Sequence, residues 1–134
     1  MGPVGSGQGT NAVNQVMVAG INQAVAESLA FAQALGLPMA RVLEVISAGA
    51  AANSFLSNRG ARMVRQQYPT GFKVALHHKD LHICKQIAAA FDVQLPTIEM
   101  TLIHYKRLLN AGLGDEDISA LYRLKKAMFD KDRA

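Results

Sequence analysis

Glycines and side-chain amides are concentrated at the start of the chain. The first fifteen residues contain Gly2, Gly5, Gly7, Gly9, Asn11, Asn14 and Gln15. Glycine lets a backbone come close to a ligand because it has no Cβ, and a helix N-terminus presents unpaired N–H groups to polar or anionic ligands. An amide can hold a substrate oxygen by a hydrogen bond, but it does not titrate near neutrality and cannot relay a proton. The pattern predicts a ligand-facing entrance to a helix.

A dinucleotide-binding loop is one alternative for the same glycines. That motif needs the spacing G-x-G-x-x-G directly after a β-strand. The glycines here have a different spacing, and no strand is predicted before them. The segment is therefore not interpreted as a dinucleotide-binding loop.

A second segment with chemical potential lies at residues 71–81, where Gly71 and Phe72 are followed by Lys79, Asp80 and Leu81. Helical spacing places Asp80 beside an apolar stripe formed by Leu76, Cys84, Ile87 and Phe91. An aspartate is rarely buried alone, so a donor or cation is expected near it. On a helix the Lys79 side chain would point about 100° away from that of Asp80. It could meet a phosphate, a carboxylate or a nicotinamide amide, or it could simply be a solvated lysine.

Together the two segments resemble the β-hydroxyacid dehydrogenase family. Residues 2–15 match its signature G-x-x-G-x-G-x-x-x-Lys-x-x-N-(N/Q) except at the lysine, which is Asn11 here. Residues 71–81 match its G-F-(x)6-K-D-L segment. Two motifs in the family's order and at about the family's separation form a specific signal that covers nearly the whole chain.

The resemblance implies a role for each matching residue. Asn11 occupies the position of the catalytic lysine, and Lys79 that of the lysine that reaches the nicotinamide of NAD or NADP. The residues implied in substrate binding are Ser6, Gly7, Asn14, Gln15, Phe72 and Asp80. Two alternatives stay open: Asn11 could be an ordinary first-turn asparagine, and the Asn14 amide could bond neighbouring backbone.

The family's activity is the reversible oxidation of a 3-hydroxy acid to its semialdehyde or keto form. The resemblance places the chain in the family's helical C-terminal domain, of the 6-phosphogluconate dehydrogenase superfamily type, and implies a homodimer or tetramer, most simply a dimer. We expect the Rossmann domain to be absent and the chain alone to be inactive. The alternatives are a non-catalytic helical module that dimerises or binds a carboxylate ligand, and a basic helical nucleic-acid binder.

Composition limits the other classes of function. The chain has 134 residues, a net charge of +4 and one cysteine, Cys84, so it has no internal disulfide framework. It shows no apolar run of transmembrane length and no signal-peptide pattern, so we expect a cytoplasmic protein without membrane contact. The basic residues do not form a dense stripe with aromatic residues among the charges, as is typical of a nucleic-acid binder.

His78 and His82 could share a metal on one helix face. His77, His104 and Cys84 supply no third ligand at a fixed spacing, so no metal is expected.

Apolar periodicity predicts an all-α bundle around one long N-terminal helix. The first helix is expected over residues 11–35 and is apolar around much of its circumference, so we expect it to be either central to the bundle or shared with a second subunit. Further helices are expected over residues 39–46, 55–64, 76–91, 96–109 and from about 115 to 129. The helix over residues 55–64 is expected to be interrupted near Gly60. No segment alternates for long enough to predict a strand.

Overall fold

The fold is a bundle of α-helices. The computed structural model describes residues 6–130, without the side chain of Ser6, and this part of the chain contains no strand. The helices are α1 (Ser6–Ala34), α2 (Met39–Ser47), α3 (Ser54–Val64), α4 (Val74–Ala89), α5 (Pro96–Asn110) and α6 (Leu121–Asp130), with a 3₁₀ turn at Ile118–Ala120 before α6. The predicted all-α architecture is confirmed.

Helix α1 is the centre of the bundle, because each of the other five α-helices contacts it. Its inward positions include Ala19, Ala26 and Ala30, which are almost fully buried and let the neighbouring helices approach closely. Leu29 adds bulk to the same face. The central position expected of the long first helix is confirmed.

The start of α1 differs from the prediction. The helix begins at Ser6, five residues before the expected start at Asn11. Glycine costs about 1 kcal/mol in a helix relative to alanine, which is why Gly7 and Gly9 suggested a loop. Ala12 and Val16 pack against the core and fix the helical turn between them. Each residue added before that turn gains one backbone hydrogen bond, so the helix extends back to Ser6.

Gly60 does not interrupt α3, contrary to the sequence-based expectation. The residue is buried. A Cβ built on it would lie 3.0 Å from side-chain carbons of both Leu43 and Leu56. The glycine therefore leaves room for the Leu43 side chain of α2 to pack against α3. Its cost in helix propensity is offset by that packing.

Predicted helix ends agree best where Pro or Gly defines them. Pro96 stands in the first turn of α5, where its fixed φ is compatible with a helix and its missing N–H costs nothing. Gly36 and Gly112 follow α1 and α5 with φ of 74° and 79°, the left-handed conformation that ends many helices. No helix among residues 6–130 is both long and apolar enough to cross a membrane.

Candidate functional site

Helices α1 and α4 bring the two sequence motifs into contact. Gln15 Nε2 on α1 donates a hydrogen bond to Asp80 Oδ2 on α4 at 3.4 Å, although the residues are 65 positions apart. Nearer the start of α1, the Cys84 thiol lies 3.6 Å from the Ala12 carbonyl oxygen. The pairing of 15 with 80 and of 12 with 84 shows that the helices run antiparallel. The donor expected beside Asp80 is thus the Gln15 amide.

His77 belongs to the second motif segment, faces the first one and is fully buried. Its Nε2 is 3.3 Å from the Gln15 carbonyl oxygen, and its Nδ1 is 2.8 Å from the Tyr105 hydroxyl. The Phe72 ring packs on it with centroids 4.8 Å apart and planes inclined at 36°. Burial lowers the pKa of His77 to about 4, against the opposing influence of the Gln15 carbonyl and the Asp80 carboxylate. The imidazole is therefore neutral at pH 7.

A buried chain of hydrogen bonds continues from His77 into the bundle. The Tyr105 oxygen accepts a hydrogen bond from Asn22 Nδ2 at 3.1 Å. Asn22 Nδ2 also donates to the Ile118 carbonyl oxygen at 3.0 Å. Both Asn22 and Tyr105 are fully buried. This series of hydrogen bonds connects the motif region to the 3₁₀ turn before α6.

Asp117 holds the segment that carries Phe72. Its Oδ1 accepts from the backbone N–H of Gly71 at 3.1 Å and of Phe72 at 2.8 Å, and its Oδ2 accepts from Arg59 Nε at 2.8 Å and from the Ser119 N–H at 3.0 Å. Burial alone would raise the pKa of Asp117, but the hydrogen bonds from Arg59, Ser119 and Phe72 outweigh it and lower the pKa to about 2. The carboxylate thereby fixes the backbone that orients the Phe72 ring.

The remaining predicted site residues lie at the surface. Asn11 and Asn14 are exposed on α1, and Lys79 is exposed on α4. Asn11 is one helical turn before Gln15, and residues four apart on a helix are neighbours. Gly7 is exposed in the first turns of α1. The structure therefore joins Gln15, Phe72 and Asp80 through direct contacts and through His77, and places the other candidates on the outward side of the same helices.

The glycines of the first motif meet no crowding from this chain. Beyond the helix's own backbone, no heavy atom among the described residues lies within 4 Å of a Cβ built at Gly7 or Gly9. Internal packing therefore does not require glycine at either position. The Ser6 side chain, Gly2 and Gly5 lie outside the described part of the chain.

The candidate metal ligands are dispersed. Within residues 6–130 no three His, Cys, Asp or Glu side chains are placed to hold a metal ion. The His78 and His82 rings pack edge to face with centroids 4.7 Å apart. Gln23 Nε2 donates to His104 Nδ1 at 3.0 Å, and Cys84 is buried in the core.

The basic cluster near the C-terminus is paired with acids. Arg123 bonds Glu116 at 2.8 Å, Lys126 bonds Asp130 at 3.0 Å, and the buried Lys125 bonds Glu27 at 2.9 Å. Lys131 and Arg133 lie outside the described residues. Pairing reduces the positive charge that residues 123–126 present to a polyanion.

The family of the chain follows from comparison with known proteins. The family described as "NAD-binding of NADP-dependent 3-hydroxyisobutyrate dehydrogenase" matches residues 5–125. The chain belongs to this family. The matched residues include both motif segments from residue 5 onward and all of the contacts between Gln15, Phe72, His77 and Asp80.

Relatives of the 3-hydroxyisobutyrate dehydrogenase family are longer than this chain. An uncharacterized oxidoreductase from Shewanella frigidimarina is 38% identical over 95% of the chain, which covers 44% of that protein. The 2-hydroxy-3-oxopropionate reductase of Escherichia coli is 38% identical over 96% of the chain and 44% of its own length. The crystal structure of a 3-hydroxyisobutyrate dehydrogenase from Salmonella typhimurium superposes with a TM-score of 0.81 at 29% identity, covering 90% of the chain and 42% of that protein. The chain thus spans less than half the length of these proteins and has the fold of the helical C-terminal domain.

Sequence reasoning missed two residues that organise the candidate site. His77 was considered only as a metal ligand, yet its spacing from Val74, Leu81 and Cys84, all of which are buried, already places it on the inward face of α4. A histidine there needs hydrogen-bond partners. In the sequence Asp117 is only an acidic residue near the expected start of the last helix. Three of its four donors, on Arg59, Gly71 and Phe72, are at least 45 residues away, and the sequence does not show that they are adjacent to it.

Proposed function

We propose that this chain is the helical domain of an NAD(P)-dependent 3-hydroxyacid dehydrogenase of the 3-hydroxyisobutyrate type. The observation that carries the proposal is the contact between the two motif segments, where the Gln15 amide bonds the Asp80 carboxylate. A hydroxy acid is the substrate class that such a polar pair beside the Phe72 wall would hold. A cytoplasmic location is part of the proposal, since the single cysteine, Cys84, suits a reducing compartment.

The proposed binding surface consists of the outward side of α1 and α4. Asn14 and Gln15 would hold substrate oxygens, and the net charge of +4 favours an acidic substrate. The uncrowded Gly7 would let the substrate come close to the start of α1. A ligand donor could also satisfy the Gln15 Oε1 atom, which is buried without a hydrogen-bond partner among the described residues.

NAD or NADP would contact this surface only at its α4 edge. Lys79 is exposed beside Asp80 and would contact the cofactor from the α4 side. Because the matched motifs assign only Lys79 to the cofactor, we propose that a separate Rossmann domain holds most of the dinucleotide. When bound, the nicotinamide would accept the hydride from the hydroxyl-bearing carbon. The chain's own residues would orient the hydroxy acid for that transfer.

Asn11 makes the chain a poor catalyst in this proposal. Oxidation of an alcohol requires a group that removes the hydroxyl proton, and a lysine at this position could do so as its neutral amine. The amide of Asn11 can bond the hydroxyl but cannot take its proton. Because Asn11 supplies no proton acceptor, the 134-residue chain alone is expected to be inactive.

Turnover assays test this proposal. NAD⁺ or NADP⁺ reduction with 3-hydroxyisobutyrate or glycerate is expected to stay at the no-enzyme background for the 134-residue chain. Joining the chain to the part of the E. coli reductase that it does not cover, with Asn11→Lys introduced, is expected to give turnover. In that joined protein Asp80→Leu should lower kcat/KM more than about tenfold, since it removes a group acting at the reacting centre.

The matched control is Asp115→Leu, because Asp115 is an exposed carboxylate outside the site. Equal activity of the Asp80→Leu and Asp115→Leu variants would contradict the assignment of Asp80 to the site. Cofactor reduction by the chain alone, proportional to its concentration, would contradict the claim of inactivity.

The second candidate function is a helical dimerisation module. The observation that favours it is an exposed apolar surface on the long central helix, where Val13 and Met17 are 65% and 60% exposed. These residues border a groove of about 520 Å³ lined also by Val16, Gly20, Ile21, Ala24, Leu95 and Thr97. A contiguous apolar surface of this kind is typical of an interaction site.

We expect the chain to self-associate through this surface, most simply as a homodimer. Light scattering at micromolar concentration should give twice the mass of one chain. Met17→Lys should shift the mass toward the monomer, because it places a charge in the apolar interface. Met128→Lys is the control, since Met128 is about equally exposed but lies on α6. A clean monomer for the unmodified chain would contradict the expectation.

A further inference from the structure

His77 contacts both motif segments and is buried completely. One ring nitrogen faces the Gln15 carbonyl oxygen, and the ring face packs against Phe72. Asp80, one turn along α4, bonds the Gln15 side chain. Displacing the imidazole would therefore alter the separation between α1 at Gln15 and the segment that carries Phe72.

The hydrogen-bond partners permit one protonation state of the ring. The Gln15 carbonyl can only accept, so His77 Nε2 must carry a hydrogen. Nδ1 of the neutral ring must then accept from the Tyr105 hydroxyl, 2.8 Å away. The Tyr105 oxygen in turn accepts from Asn22, an amide nitrogen that can only donate.

The alternative states of His77 are disfavoured by the same contacts. The Nδ1–H tautomer would place the lone pair of Nε2 against the Gln15 carbonyl oxygen. An imidazolium would point Nδ1–H at the Tyr105 oxygen, whose other neighbour, Asn22 Nδ2, is also a donor. The hydroxyl hydrogen would then lose its acceptor. Asn22, Tyr105 and His77 thus form a directional chain that ends on the Gln15 backbone.

We propose that His77 is a positioning residue of the hydroxyacid site, held as the neutral Nε2–H tautomer by Tyr105 and fixing Gln15 and Phe72 relative to each other. This inference rests on the proposed function, because it assigns the two positioned residues to the substrate. His77 does not touch the substrate in this arrangement. It acts through Gln15, which binds the hydroxy acid, and through Phe72, which forms the wall beside it.

The first test uses the 134-residue chain and needs no activity. Nitrogen-15 NMR of the histidine rings should show His77 with hydrogen on Nε2 and none on Nδ1 at pH 7. His77→Gln and Tyr105→Phe should each shift the side-chain amide resonances of Gln15, because both break the chain of hydrogen bonds. His78→Gln is the matched control, since His78 is the adjacent residue of α4 and contacts His82 instead.

The second test measures the effect on substrate binding in the joined protein with Asn11→Lys. His77→Gln and Tyr105→Phe should each raise KM for 3-hydroxyisobutyrate about tenfold, because a small misplacement of a binding group is costly, while KM for NAD(P)⁺ changes less than about twofold. A purely structural role would lower the active fraction, and hence the apparent kcat, without this selective change in KM. Tyr105→Phe retains the packing volume and so keeps the test valid if His77→Gln does not fold.

The two tests separate the possible failures. A different His77 tautomer, or Gln15 resonances that respond equally to His77→Gln and His78→Gln, would overturn the positioning role. Equal KM values for these two variants in an active joined protein would also overturn it. A joined protein without turnover would count against the proposed function alone, since the measurements on the 134-residue chain still decide whether His77 positions Gln15.

Discussion

Asn11→Lys in the joined protein is expected to raise kcat for 3-hydroxyisobutyrate oxidation by about 10²–10⁴-fold, the usual contribution of a positioned acid or base. The reason is chemical, because an amine can take the hydroxyl proton and an amide cannot. Asn11 is exposed, so the longer lysine side chain has space at this position. Steady-state rates of the joined protein with and without Asn11→Lys give the ratio directly.

Two control variants separate proton transfer from charge. Gln8→Lys adds the same charge at an exposed position one turn earlier on α1, and Asn11→Gln lengthens the amide without making it titratable. Neither should raise kcat more than about twofold, since neither supplies a base at the reacting centre. A Gln8→Lys rate equal to that of Asn11→Lys would show that charge alone is responsible and would contradict the assignment of Asn11.

Stability provides a second check on the same residue. An exposed substitution changes the free energy of unfolding by less than about 1 kcal/mol, so the melting temperature of Asn11→Lys should stay close to that of the parent chain. A packed asparagine would instead force a charge against apolar neighbours, at a cost of several kcal/mol. A large drop in melting temperature would therefore contradict the open position of Asn11.

The sequence predicted the bundle well because its signals are local. Pro96 in α5 and Gly36 after α1 define helix ends through their own backbone preferences, and those two predicted ends agree with the structure within about one residue. The last helix, expected from about residue 115, begins only at Leu121 after the 3₁₀ turn at Ile118–Ala120. Two other failures concern glycines. At Gly7 and Gly60 the propensity of the residue favoured a loop or a break, but the packing of neighbouring turns decided the outcome.

The site was predictable only in part. The motif pattern pointed to Gln15, Phe72 and Asp80, which the fold joins through direct contacts and through His77. The motif pattern did not predict the hydrogen bond between His77 and Tyr105, because that bond depends on how α4 packs against α5. Asp117 is a similar case, since its partner Arg59 is 58 residues away. Long-range polar contacts of this kind follow from the tertiary structure and not from local spacing.

Asp117→Asn is expected to lower the free energy of unfolding by about 3–5 kcal/mol, as for other buried ion pairs that lose one partner. The carboxylate accepts from Arg59 and from backbone N–H groups on both oxygens. An amide offers one oxygen and turns its NH₂ group toward donors, so several buried hydrogens lose their acceptor. Urea unfolding at pH 7 measures the change. Asp115→Asn is the control, because the Asp115 side chain is 92% exposed and its change should stay within about 0.5 kcal/mol.

The pH dependence of stability identifies the same carboxylate. Folding lowers the pKa of Asp117 from 3.8 to about 2, so the folded state binds its proton less readily than the unfolded state. The resulting stabilisation, up to about 2 kcal/mol, is present above pH 4 and is lost as the pH falls through the folded pKa. Asp117→Asn has no proton to bind there, so its unfolding free energy should depend less on pH between 4 and 2 than that of the parent chain. Parallel curves for the two proteins would mean that Asp117 is not held as a buried carboxylate, and Phe72 would then lack the backbone anchor that holds its ring against His77.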